Sequence, residues 1–228
     1  LMYAGIDTLI VMIIAVGVQI GFTSAGSPKQ CNARIHAAGS KVADVVSSSR
    51  FAAKCEEAGV VAVVAEGFEA GGHNGREETT TMVHIPHVRR ATTLQLIAAG
   101  GIASREAMHA AAALGAEGVQ SGTVFAMSRE SSAADAFKDR CASLQEGDTM
   151  LCLKKLAPTR MIKNPLYDEI KTAEDNGADA EALRGILDEA ASKRGNFEGD
   201  LDRGELEIGQ VASAVKEIQT AAQIVERM

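Results

Sequence analysis

The segment Glu69-Ala70-Gly71-Gly72-His73-Asn74-Gly75 sets a histidine among three glycines, just downstream of the apolar run Val60 to Ala65. The segment has no apolar periodicity, so His73 is not a core filler. Glycines on both sides leave the imidazole on a flexible turn, where a ligand can approach the backbone closely. Imidazole titrates near neutrality, and it can take a proton from a carbon acid or hydrogen-bond a developing negative charge. A turn histidine facing water is the competing reading, and residue chemistry alone leaves the two even. Glu66 and Glu69 are strand-end carboxylates close by in sequence; one of them could orient the ring or contact a ligand hydroxyl, against a solvated or helix-capping role.

Two further glycine clusters carry chemistry. Ala99-Gly100-Gly101-Ile102-Ala103-Ser104 follows the apolar run Leu94 to Ala98 and opens into a helix-like stretch. Consecutive glycines let amides turn inward with no Cβ in the way, and a helix start adds partial positive charge, which together suit a phosphate. Gln120-Ser121-Gly122-Thr123 offers a second set of amides and a hydroxyl at the end of the next strand. Adjacent strand-end cradles are what the standard phosphate site of a (β/α) barrel requires. The other histidines read as structural or solvated. His36 and His109 lie on helix-like stretches, and His84 and His87 flank Pro86 without a carboxylate or cysteine at a supportive spacing, so no metal site is expected.

These residues need a scaffold that ends strands beside one another. Short apolar runs at Val18 to Phe22, Val42 to Val46, Val60 to Ala65, Leu94 to Ala98 and Gly118 to Ser121 read as parallel strands buried on both faces. Between them, Lys29 to Ala38, Ser49 to Ala58, Thr81 to Ala91 and Ser104 to Leu114 have helical spacing. Serines at 47 to 49 can cap the second helix, and the idioms AAG before Ser40, EAG before Val60 and LGA before Glu117 each end a helix before the next strand. The alternation fits a (β/α) barrel or a doubly wound sheet. From Glu130 onward the chain turns polar and helix-prone, which divides it into a barrel part, 1–129, and a helical cap with a tail, 130–228.

A formal charge of −7 gives no field for nucleic acid or anionic lipid. Cys31, Cys55, Cys141 and Cys152 form no C-x-x-C pair, so reduced thiols in a cytoplasm are expected. The apolar stretch Thr8 to Phe22 is shorter than the ~20 residues a spanning helix needs. It reads as a buried helix running into a buried strand, broken near Gly17.

The motifs AEGFEAGGHNG (65 to 75), TTTMVHIPHV (79 to 88), IAAGGIA (97 to 103), LGAEGVQSGTVFAMSRESSA (114 to 133) and FEGDLDRGELEIGQ (197 to 210) occur in this order. In that combination the chain resembles the nitronate monooxygenase family, formerly 2-nitropropane dioxygenases, which includes flavin-dependent enoyl-acyl-carrier-protein reductases. The resemblance implies an α/β fold of the (β/α)8 TIM-barrel type, with FMN as cofactor and a C-terminal helical cap. It implies that His73 abstracts the α-proton of a nitroalkane or assists the flavin reaction, and that Gly71 and Gly72 lie against the flavin. Ala99, Gly100, Gly101, Gln120, Gly122 and Thr123 become the phosphate-binding set. Ala25 and Gly26, in the turn Thr23 to Gly26, come near the flavin ring, Glu66 joins the cofactor-binding residues, and Gln210 sits near the mouth of the site. Ser121 departs from the family's usual Met or Val. Five strands are counted where a closed barrel has eight, so the N-terminal strands are expected to be missing.

The implied activity is FMN-dependent oxidation of alkyl nitronates by dioxygen to a carbonyl compound and nitrite. Reduction of an enoyl thioester with NAD(P)H as co-substrate is the second implied activity, and a non-catalytic flavin-binding remnant is the third reading. The expected partner is a small-molecule substrate, with no nucleic acid, no membrane and a homodimer as the assembly.

Overall fold

The computed structural model describes residues 5–187 and 190–228. The chain divides into two compact units. One comprises the chain up to Glu66, Thr79–Ala99 and Ala110–Gln120; the other comprises Gly67–Glu78, Gly100–His109 and Ser121–Met228.

The first unit holds α1 (Ile6–Ala15), β1 (Ile20–Thr23), α2 (Asn32–Ala37), β2 (Lys41–Val46), α3 (Ser49–Glu57) and β3 (Ala62–Glu66). After an excursion that contains β4 (Gly72–His73), it resumes with α4 (Thr81–Ala91), β5 (Gln95–Ala99), the end of α5 (Arg105–Ala113) and β6 (Gly118–Gln120). Its five strands are parallel, in the order β1-β2-β3-β5-β6. Each connection therefore moves one place in the same direction. Right-handed crossovers that never reverse put their helices on one side of the sheet, which is the barrel arrangement and not the doubly wound one.

The helix stops foreseen in the sequence form by one local device. Gly39, Gly59 and Gly115 all take positive φ (+85°, +73° and +106°). The next amide then returns to the carbonyl five residues back: Ser40 to Ile35 at 3.2 Å, Val60 to Cys55 at 3.1 Å and Ala116 to Ala111 at 3.1 Å. That bond is the mark of a Schellman ending, which needs a residue free to be left-handed. The serine cap is a correction: Ser48 occupies the N-cap of α3 in extended conformation, but its side chain makes no capping bond.

Burial at the N-terminal stretch also departs from expectation. Helix, break at Gly17 (φ +70°) and strand occur as predicted. Only Ile10 of α1 is buried, however, while Val11, Met12, Val16, Ile20 and Phe22 are more than half exposed. Among the described residues strand β1 is an edge strand, paired with β2 alone, and its side chains are exposed or half-buried. Among the described residues no helix is long and apolar enough to cross a membrane.

The second unit contains β4, the start of α5, α6 (Thr123–Ala126), α7 (Asp135–Ser143), β7 (Thr149–Cys152), β8 (Thr159–Ile162), α8 (Pro165–Asp175), α9 (Ala180–Ile186), α10 (Ala191–Glu198) and α11 (Ala221–Arg227). The region read as a helical cap thus carries strands as well. β8 is the centre of an antiparallel sheet ordered β4-β8-β7, and all four of its residues are buried. Successive side chains point to opposite faces of a strand. Met161 accordingly joins the apolar cluster of Leu153, Leu166, Ile170 and Leu183, while Ile162 joins that of Val124, Phe137, Leu206 and Ile208.

Candidate functional site

The histidine turn lies wholly in the second unit and is held along its length. Strand β4 pairs antiparallel with β8, Gly72 opposite Arg160 and His73 opposite Thr159. The Asn74 amide donates to the Pro158 carbonyl at 2.8 Å. The Asn74 side-chain amide donates back to the carbonyls of Ala70 (2.9 Å) and Gly72 (3.0 Å). Downstream, the Gln210 amide donates to the Glu69 carbonyl at 2.8 Å. The expectation of a flexible turn is therefore corrected: the glycines give the backbone its path, and long-range bonds fix it there. His73 itself is exposed, with its backbone clamped and its imidazole at the surface of the unit.

Two of the glycines are there for space. A Cβ on Gly71 would lie 2.4 Å from the Ile208 carbonyl carbon and 2.6 Å from the Gly209 nitrogen, so the two backbones touch where only glycine fits. Gly72 has φ +72°, and a Cβ there would meet a carboxylate oxygen of Glu207 at 3.2 Å. The other oxygen of Glu207 accepts from the Ser192 hydroxyl at 2.7 Å. Neighbouring Glu205 is pushed up to about 7, by burial first and by the charge of Glu207 second.

The two glycine loops are those read from the sequence as a phosphate cradle. Gly100 and Gly101 are consecutive left-handed residues (φ +94° and +68°), and the side-chain stem of Glu69 lies 3.2 Å from where a Gly101 Cβ would stand. The Ser121 hydroxyl donates to the Ile102 carbonyl at 2.9 Å and ties the two loops together, a bond that a Met or Val at 121 cannot make. Gly122 has negative φ, and a Cβ there would find nothing within 4 Å, so there is open space beside its backbone. The Thr123 hydroxyl accepts from the Gly209 amide at 3.1 Å, which leaves its own proton free to donate. Backbone without side chains and a hydroxyl are groups suited to phosphate oxygens.

In the first unit the remaining candidates stand at strand ends. Glu66, Ala99 and Gln120 form one row across β3, β5 and β6, because Glu66 is in register with Ala99 and Ala99 with Gln120. Burial pushes the Glu66 carboxyl up to about 7. Ala25 and Gly26 follow β1 and are exposed, with Ala25 left-handed at φ +55°. His84, read as structural, is buried with its Nε2 2.9 Å from the Val46 carbonyl oxygen. Sequence reading missed Asp44. Its buried carboxylate accepts from the Thr23 hydroxyl and from the Cys55 thiol at 3.3 Å, and burial raises its pKa. The four cysteines are free and buried, with thiols of Cys55, Cys141 and Cys152 each raised by burial to about 12, which makes them poor nucleophiles. Among the described residues no group of three His, Cys, Asp or Glu is placed to hold a metal.

Arg160, Glu207, Ile208 and Gly209 also escaped the sequence reading, although Gln210 was placed near the site. A glycine beside Gln210 was the available signal for the last two. Arg160 had none, since its burial depends on pairing with a segment 92 residues away.

Comparison with known proteins gives consistent matches. The family described as "Nitronate monooxygenase" matches residues 4–228. A "Probable nitronate monooxygenase" of Staphylococcus aureus (strain Newman) is 34% identical over 164 residues, which are 67% of this chain and 46% of the relative. The chain thus spans about half the length of the curated relatives it matches. Among solved structures, FabK from Thermotoga maritima is 36% identical with a TM-score of 0.94, over 100% of this chain and 72% of that one. A nitroalkane oxidase from Streptomyces ansochromogenes is 26% identical with a TM-score of 0.79, over 98% of this chain and 66% of that one.

Proposed function

The chain belongs to the nitronate monooxygenase family, and from that membership we propose that it serves a flavin-dependent oxidoreductase which oxidises alkyl nitronates with dioxygen to a carbonyl compound and nitrite. The observation that carries the proposal is the clamped turn of His73, fixed by Gly71 against Ile208–Gly209 in the unit that also holds Gly100, Gly101, Gly122 and Thr123.

FMN is the cofactor that these residues suit, and its isoalloxazine would supply the electron-accepting chemistry. The amides of Gly100, Gly101 and Gly122 and the hydroxyl of Thr123 would hold its phosphate, with Ala99 and Gln120 at the adjoining strand ends. Gly71 and Gly72 offer it a backbone without side chains. His73 removes the α-proton of a nitroalkane or hydrogen-bonds a nitronate oxygen, roles open to an exposed imidazole on a fixed backbone.

The likeness to FabK is compatible with a second reading, NAD(P)H-dependent reduction of an enoyl thioester at the same residues. One set of measurements separates the outcomes. The purified chain is titrated with FMN and followed by its visible spectrum, and nitrite release from a neutral nitroalkane, which still carries its α-proton, is then assayed for the wild type and His73→Ala. The proposal expects FMN uptake by both proteins and nitrite from the wild type alone. Failure to take up FMN removes both enzyme readings, and rapid anaerobic bleaching by NADPH favours the second over the first.

A further inference from the structure

We infer that Arg160 is a positioning residue, whose guanidinium fixes the peptide between Phe68 and Glu69 and through it the backbone that presents His73. The inference rests on the reading of His73 as the reacting base.

Arg160 is 2% exposed on the central strand β8. Burying a guanidinium is costly unless its donors are satisfied, and a buried arginine is usually matched by a carboxylate. Here the hydrogen bonds to the described residues go to the main chain. Nε and Nη2 both donate to the Phe68 carbonyl, at 3.1 and 2.8 Å, and Nη1 reaches the Thr149 carbonyl at 3.5 Å. The guanidinium carbon lies 5.0 Å from the centre of the Phe68 ring, the distance of a cation–π contact. Burial lowers the Arg160 pKa, and the charges of Glu69 and Glu78 oppose that shift.

A fork of donors closed on one carbonyl oxygen does not recognise a side chain. It fixes a peptide plane, and the plane it fixes begins the turn Glu69-Ala70-Gly71-Gly72-His73. Downstream of that plane come two glycines, the residues with the most freedom to wander. Gln210 to Glu69 and Asn74 to Pro158 also tie the turn, alongside the pairing of β4 with β8. Arg160 holds it by two bonds and a ring contact, directly across the strand pair from Gly72. Lysine could replace the charge but not the planar fork.

The test uses the full chain with Arg160→Lys, Arg160→Met and Arg160→Ala, and His73→Ala as comparator. Amide deuterium exchange is read at Ala70 and Asn74 and, as a control, across α8; FMN affinity and kcat and KM for a neutral nitroalkane are measured alongside. The expected result is exchange faster by about tenfold or more at Ala70 and Asn74, in both the Lys and the Met variants, with α8 unchanged. FMN affinity and KM should stay within about threefold while kcat falls on the order of a hundredfold, the signature of a misplaced group and not of lost binding. Added guanidinium should restore part of the lost kcat and slow the exchange in Arg160→Ala. Wild-type exchange in the turn of Arg160→Met would overturn the inference, as would acceleration spread equally over α8. Turnover retained by His73→Ala overturns the base reading instead, and the exchange measurement then still decides the role of Arg160 in fixing the turn.

Discussion

The backbone amide of Gly209 donates to the hydroxyl oxygen of Thr123 at 3.1 Å, and a methyl group on Gly209 would stand only 2.5 Å from that same oxygen. Hydrogen bond and steric limit are one contact seen twice. It locks the segment behind the histidine turn onto the proposed phosphate residue. Gly209→Ala should therefore destabilise the fold by about 1–3 kcal/mol through overpacking. In a Thr123→Ala background the obstructing oxygen is gone, and the same substitution should cost at least about 1 kcal/mol less. Urea unfolding of the four proteins measures the coupling, and strictly additive costs would mean that the contact is looser than described.

Gly71 and Gly122 should respond in opposite ways to the same change. At Gly71 the added methyl meets backbone at 2.4 Å, which no rotamer can relieve, so Gly71→Ala should lose about 3 kcal/mol or more or fail to fold. At Gly122 the methyl meets nothing within 4 Å and the residue is not left-handed, so Gly122→Ala should unfold with the wild type. If a phosphate sits in that space, its FMN affinity should nevertheless fall about tenfold or more. Thermal melts and an FMN titration of both variants check this, and an unaltered affinity for Gly122→Ala would place the phosphate elsewhere.

Glu66 makes stability depend on pH in a predictable direction. Burial raises its carboxyl from an ordinary 4.5 to about 7. The native state then holds a proton that the unfolded state has released, so this stabilisation is complete below about 4.5 and is lost as pH rises through about 7. Glu66→Gln, neutral throughout, should unfold at higher urea than the wild type at pH ~8 and show no such gain at pH ~4.5. Equal gains at both pH values would rule out the proton as the cause.

The thiols should be silent in the folded chain. Cys55, Cys141 and Cys152 are buried with pKa values near 12, and Cys31 is buried and raised as well. A disulfide reagent at pH ~8 should react with the native protein about a hundredfold more slowly or less, and with all four cysteines once urea is added. Rapid modification of one thiol without urea would show that its burial is transient.

What the sequence determined by itself was local. Helix ends at Gly39, Gly59 and Gly115 are written in three residues, because the left-handed turn that closes a helix needs only its own chain neighbours. The strand-end positions of Glu66, Ala99 and Gln120 follow from runs of a few apolar residues, and the histidine among glycines was visible as a place with no structural purpose of its own. Long-range pairing decided the rest. Sequential strand order chose the barrel arrangement over the doubly wound sheet, and Ile20 and Phe22 on edge strand β1 are exposed although their composition reads as core. The turn that looked flexible is tied by bonds whose partners lie far along the chain: the Arg160 bond spans 92 residues, and the Gly209 bond to Thr123 spans 86. Glycine supplies conformational freedom wherever it occurs, and only the tertiary contacts of Arg160, Ile208 and Gly209 fix which of its conformations the histidine turn keeps.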